Sequence, residues 1–230
     1  MSVTSSWLGW LGLMLWISSM ASGLDKVPWA GLRVANATAT QGEGSALRIT
    51  LDGKPWQVEG MASGEVSALR RLPSGQHRLD FALDGIEGHR VVLDLKEEAM
   101  VTLVPYLRWS EPERRWSIRV IRLDAGTWRD ERSLCVLHLG RAEPQRLEMK
   151  QGAGSWQALS LRRLKVQELP LAQKRGYLPL RAGRQRLASM PVFERGRHVL
   201  VLYESTDGKL ATLAYRDRPW PGRIEGEHSR

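Results

Sequence analysis

At 230 residues with 42% of them apolar, the chain is long enough for one large domain or two of about 100 residues, and its composition excludes a disordered protein. Its 27 Arg and 7 Lys against 25 Asp plus Glu leave a net charge of +9, suited to polyanions or an acidic partner. No helix-turn-helix, zinc-finger or aromatic RNA-binding signature points to nucleic acid, and a single cysteine, Cys135, excludes both an intramolecular disulfide and a cysteine-based zinc site.

Residues 1–24, MSVTSSWLGWLGLMLWISSMASGL, carry no charge. The apolar run from Trp7 to Ile17 is shorter than the roughly 20 residues that span a bilayer, and the small residues Ala21-Ser22-Gly23 follow it. Residues 1–23 are therefore expected to form an export signal, with an uncleaved membrane anchor as the alternative. The body is expected in the periplasm.

From there the pattern is that of strands. GLRVANAT (31–38), ALRITLDG (46–53), SALRRL (67–72), QHRLDFALDG (76–85), HRVVLDLK (89–96), MVTLVPYL (100–107) and WSIRVIRLD (116–124) are short apolar runs divided by turn residues. Leu79, Phe81 and Leu83 alternate with Arg78, Asp80 and Ala82, the period of two that a half-buried strand requires. A second series follows: LCVLHLG (134–140), QRLEMKQ (145–151), SWQALSL (155–161), RLKVQEL (163–169), GYLPLRAG (176–183), RQRLASM (184–190), RHVLVLYES (197–205) and LATLAYRD (210–217). Asp207-Gly208 supplies the turn of its last hairpin.

The two series match in order. Leu32 and Val34 align with Leu134 and Val136, Gly75 with Gly183, and Val101 with Val199. On this alignment SALRRLPSGQHRLDF and GYLPLRAGRQRLAS are one strand-turn-strand written twice, with Gly75 and Gly183 at positions where a Cβ would be penalised. The expected fold is all-β: two tandem immunoglobulin-like β-sandwich domains, residues 24–124 and 133–230, joined by a linker at 125–132 in which Trp128 packs between them. A single eight-stranded barrel with extra strands is the competing architecture.

Catalytic chemistry finds little support. There is no G-x-S-x-G elbow, since GMASG (60–64) has its serine one place late. His77, His89, His138, His198 and His228 never fall at a ligand-like spacing, so no metal site and no cofactor are expected. Asn36 heads a formal glycosylation sequon, for which a turn or strand-end role is the better reading. Asp80, Asp84, Glu97 and Glu98 read as solvated carboxylates, and nothing indicates a cleft. The candidate interaction surface is RWSEPERRWSIR (108–119), where Trp109 and Trp116 flank a Pro-containing turn bearing Arg108, Arg114 and Arg115. Trp with Arg suits stacking on sugar rings, gripping acidic groups or anchoring a protein partner.

GLRVANAT, the LPSGQHRL turn and the C-terminal run PVFERGRHVLVLYESTDGKLATLAYRDRP (191–219) resemble the AlgF-like periplasmic accessory proteins of bacterial exopolysaccharide O-acetylation. The likeness covers most of the chain after the leader. It implies a non-enzymatic adaptor that works with a membrane-bound O-acyltransferase and periplasmic acetyltransferase proteins, and binds the polysaccharide as a further partner. The Arg-rich body and the opening LDKVPWAGLRV depart from the alginate members, so the polymer stays open between alginate and cellulose type. A secreted carbohydrate-binding or surface module unrelated to acetylation is the alternative, and an enzyme working through Ser63 or His77 is a third reading.

Overall fold

The computed structural model describes residues 28–39, 45–125, 132–141, 145–193, 196–204 and 208–217. The expected leader, Trp128 and most of the expected linker lie outside them. Among the described residues all regular structure is strand. The first series gives β1 (Trp29–Val34), β2 (Arg48–Leu51), β3 (Lys54–Pro55), β4 (Arg70–Pro73), β5 (Gly75–Leu83), β6 (Ile86–Leu95), β7 (Met100–Ser110) and β8 (Arg115–Asp124). The second gives β9 (Ser133–His138), β10 (Gln145–Lys150), β11 (Trp156–Leu161), β12 (Val166–Pro170), β13 (Gly176–Ala182), β14 (Gln185–Val192), β15 (Arg197–Glu204) and β16 (Leu210–Arg216).

The strand orders repeat. In the first half β3-β2-β5-β6 and β8-β7-β1-β4 are joined only where Glu87 of β6 pairs with Ser117 of β8. In the second half β11-β10-β13-β14 and β12-β9-β15-β16 are separate sheets. Each half contains the same parallel pair, β1 with β7 and β9 with β15, flanked by the same antiparallel neighbours. A single barrel does not form, because β9–β16 build sheets of their own.

Three apolar cores lie between four sheet layers. Leu32, Phe81, Leu103 and Ile118 belong to the core inside the first half, and Leu134, Leu147, Leu178 and Leu200 to the core inside the second. The third core joins the halves: Ala35, Val104, Tyr106 and Leu123 of one pack with Cys135, Leu137, Val199, Val201 and Tyr203 of the other. The two inner sheets are thus covered on both faces, which explains why LCVLH and HVLVLY are unbroken apolar runs while β5 and β6 alternate. The two halves therefore share one of their faces with each other.

A buried ionic cluster reinforces this middle layer. Asp217 accepts from Arg33 at 3.3 Å and from Arg197 at 3.4 Å, and Arg197 also donates to the Asp124 carbonyl at 2.9 Å. Burial raises the Asp217 pKa, against the pull of the two guanidinium groups. Cys135 nearby is buried, which pushes its thiol up to about 11 and leaves it a small apolar side chain.

The order of the repeat is as the sequence suggests, but its alignment needs two corrections. Gly75 opens β5 and finds its counterpart in Gly176, which opens β13, whereas Gly183 sits in the β13–β14 turn and matches Gly85. Gly75 and Gly183 do both hold positive φ, at 128° and 58°. Val101 faces the first core and Val199 the shared layer, so they are not equivalent. The parallel registers, Leu32 beside Val101 and Leu134 beside His198, put His198 in Val101's place. A slip of one residue exchanges every face of a strand.

Candidate functional site

At one end of the shared layer the sheets part and leave a cleft of about 500 Å³ lined by both halves. This corrects the expectation that no cleft exists, and the volume lies within the roughly 300–1,000 Å³ common for ligand sites.

The β7–β8 hairpin forms one wall. Its strands stay paired out to Ser110 and Arg115, so Trp109 stands directly opposite Trp116. The two indoles meet edge to face with centroids 5.3 Å apart, an arrangement that suits the ring quadrupoles and stiffens the hairpin tip. Tyr106, three residues back on β7 and so on the opposite face of the strand from Trp109, lies at the end of the shared core and also lines the cleft. Asp84, from the β5–β6 turn, and Glu111, from the β7–β8 turn, also line the cleft. Asp84 accepts from Arg48 at 2.7 Å, which holds its carboxyl below the usual range.

The second half supplies the facing wall through Leu139, Arg141, Arg163, Tyr203 and Glu204. Glu204 accepts from the Arg141 backbone N–H at 2.7 Å and from its Nε at 2.8 Å. Held this way, the Arg141 guanidinium sits 5.6 Å from the centre of the Trp116 ring and ties the walls together. Tyr203 reaches the loop at residues 60–64, where a Cβ on Gly64 would stand 2.9 Å from the Tyr203 Oη; that glycine also has φ +81°. Asn36 secures the same loop. Its Nδ2 donates to the Met61 and Ala62 carbonyls at 2.9 Å each, and its Oδ1 accepts from the Thr38 N–H and hydroxyl. A buried, fully bonded Asn36 is a structural pin, in line with the strand-end reading of the sequon.

Of the residues singled out in the sequence, Trp109 and Trp116 come together in the cleft. Arg108, Arg114 and Arg115 do not line it: Arg108 is exposed on β7, Arg114 occupies the turn with φ +47°, and Arg115 pairs with Glu113 at 3.0 Å and Glu87 at 3.5 Å. His77 is held by Asp52 and the Pro73 carbonyl, and Ser63 is an exposed loop residue. Among the described residues no three His, Cys, Asp or Glu side chains gather in a way that would hold a metal. Tyr106, Tyr203, Arg141 and Glu204 were not foreseen, since nothing local in the sequence connects them to the Trp pair.

No protein-family model matches the chain. No curated protein matches it either. Three solved structures are similar in part. The Bacillus anthracis TIE protein shares 12% identity at TM-score 0.24, over 76% of this chain and 33% of that one. A family CBM26 module from Eubacterium rectale Amy13K, solved with maltoheptaose, shares 11% identity at TM-score 0.25, over 82% and 98% of the two chains. A putative cell adhesion protein from Bacteroides uniformis shares 10% identity at TM-score 0.20, again over 82% and 98%. The chain spans a third of the TIE protein's length, and none of these likenesses is close enough to carry function.

Proposed function

We propose that the protein is a non-catalytic accessory factor for O-acetylation of a secreted exopolysaccharide. On this reading it holds a stretch of the polymer in the cleft between its halves. A membrane-bound O-acyltransferase and periplasmic acetyltransferase proteins deliver the acetyl groups. The observation that carries the binding role is the cleft itself: the rigid Trp109–Trp116 pair beside Tyr106 and Tyr203 offers apolar ring surface, and fixed carboxylate and guanidinium groups offer acceptors and donors for hydroxyls. The acetylation setting is supported by the resemblance of the motifs in 31–38, 72–79 and 191–219 to the accessory family. A carbohydrate-binding module unrelated to acetylation would use the same cleft and differs only in its partners.

The test has two arms. In affinity electrophoresis through gels containing soluble polysaccharide, the protein is expected to be retarded, and Trp109→Ala to weaken that retention roughly tenfold, or about 1.4 kcal/mol, with its β-sheet circular dichroism intact. In the source cell, removing the gene is expected to lower the acetyl content of the secreted polymer, with recovery by the natural chain and not by Trp109→Ala. Retention in no polysaccharide gel would overturn the binding role, and unchanged acetylation would leave the unrelated module.

A further inference from the structure

Equivalent outer sheets, β3-β2-β5-β6 in the first half and β11-β10-β13-β14 in the second, present different outward faces. On the first, the alternation that turns Leu79 and Phe81 inward leaves Arg48, Arg78, Asp80 and Arg90 outside. These arginines are paired: Arg48 meets Asp84 at 2.7 Å, and Asp80 takes Arg78 at 3.3 Å and Arg90 at 2.5 Å. On the second, Leu147, Leu178 and Leu180 turn inward, and the register sets four cations outside, Arg146, Lys150, Arg181 and Arg186, around Glu148. Glu148 accepts from Arg146 at 3.0 Å and from Arg181. Among the described residues no carboxylate pairs with Lys150 or Arg186. Arg186 stands directly opposite Arg181 across β13 and β14, a like-charge pairing that disfavours the sheet and that a bound anion would relieve. Two rings share this face. Trp156 opens β11 opposite Lys150, with the Arg181 guanidinium 4.2 Å from its ring centre, and Tyr177, near the start of β13, is 70% exposed.

We infer that this face of the second half binds an extended anionic polysaccharide. Sugar rings stack on Tyr177 and Trp156, and carboxylates meet Lys150 and Arg186 in charge-assisted hydrogen bonds. A protein partner fits less well: interfaces keep an apolar core and a polar rim, whereas here the charges occupy the central strands β10 and β13 and the rings lie at one end. A membrane surface fits less well too, because the turn beside the rings, residues 151–155, holds only small or polar residues and no large apolar side chain to insert. An anionic chain keeps its charges hydrated on a flat face and needs neither. No residue of this face lines the cleft between the halves, so it binds whether or not the cleft holds sugar.

Isothermal titration of the full chain with oligomannuronate and oligoguluronate tests this, with cellohexaose as the neutral probe and vesicles of about 25% phosphatidylglycerol in phosphatidylcholine as the membrane probe. At least one uronate is expected to bind, about tenfold more weakly at roughly 500 mM NaCl than at roughly 50 mM. Lys150→Gln combined with Arg186→Gln is expected to weaken it about tenfold, and Tyr177→Ala about fivefold, with cellohexaose unaffected. Lys54→Gln combined with Lys96→Gln, an equal loss of charge in the first half, is expected to cost less than about twofold. The loss from the Lys150 and Arg186 variant should persist in a Trp109→Ala background. Equal losses from the two charge pairs would show a response to net charge alone and overturn the site. A loss that vanishes with Trp109→Ala would put the anion in the cleft and overturn it as well, as would binding to vesicles and neither uronate, or to no probe. Uronate binding that Trp109→Ala leaves untouched, and that the Lys150 and Arg186 variant weakens, would leave this face standing even where the cleft fails to hold sugar.

Discussion

The two halves share one strand order and differ at one end. In the first, β7 and β8 run for 11 and 10 residues; their counterparts β15 and β16 run for 8 and 7. The additional length lies beyond the shared layer, and it carries Trp109 and Trp116 past the edge of the stack. Among the described residues the second half contributes no such projection from the corresponding strands, and offers Tyr203, Glu204 and Arg141 as a facing wall instead. A repeated scaffold thus carries an unrepeated feature, the longer β7–β8 hairpin. The repeat accounts for the layered cores and the asymmetry for the cleft.

That contrast holds only if the halves behave as one body, and the strongest perturbation should come from the layer between them. Leu137 on β9 is fully buried there. Leu137→Ala is expected to cost about 2–5 kcal/mol in urea unfolding, through lost burial and the cavity left behind. Unfolding should stay a single transition. Hydrogen exchange should speed up at β1 and β7 as well as at β9 and β15. Unchanged protection in β1 and β7 would mean that the halves fold separately and that the shared core is only a contact.

A smaller effect is expected from the ionic cluster at the other end of this layer. Asp217→Ala removes the acceptor shared by Arg33 and Arg197 and leaves two guanidinium groups close together in a mostly buried setting. Charged hydrogen bonds of this kind contribute about 1.5–3 kcal/mol. Arg48→Ala breaks only the exposed pair with Asp84 and should shift the midpoint by less than about 1 kcal/mol. Equal losses in the two variants would show that the cluster does not join the halves.

The sequence exposed nearly every strand and misplaced some of their faces, for a physical reason. β5 could be read because Leu79, Phe81 and Leu83 alternate with polar residues; β3 could not, because Lys54 and Pro55 are too few to show a period. The inner strands appear as continuous apolar runs, in which nothing marks which residue faces which core, and this is how Val101 came to be matched with Val199. The Trp pair was legible because Trp-turn-Trp is a local pattern. The cleft was not, since its other wall lies in the second half and depends on how the inner sheets stack. No signal in VLYE by itself sets Tyr203 and Glu204 beside a tryptophan.

The smallest expected difference between the halves is one of pH. Each half ties its strand corner to the turn of its first hairpin, by different means. In the first, His77 bonds Asp52 at 2.7 Å and the Pro73 carbonyl at 2.8 Å. In the second, Gln173 does the same work, accepting from the Gly152 N–H and donating to the Arg175 and Tyr177 carbonyls. Both partners of His77 are acceptors, so the fold favours the doubly protonated ring. Burial by itself lowers the His77 pKa, but the bonds to Asp52 and Pro73 outweigh it and leave the pKa raised. A raised folded pKa means that the contribution is complete below the unfolded histidine value of about 6.5 and fades as pH rises through the folded one. His77→Gln should therefore cost up to about 1 kcal/mol at a pH of about 5.5 and less at about 8.5, while Gln173→Ala costs the same at both. A His77→Gln loss that is flat across this range would mean that the neutral ring serves the corner equally well, and that the two halves do not differ in their response to pH.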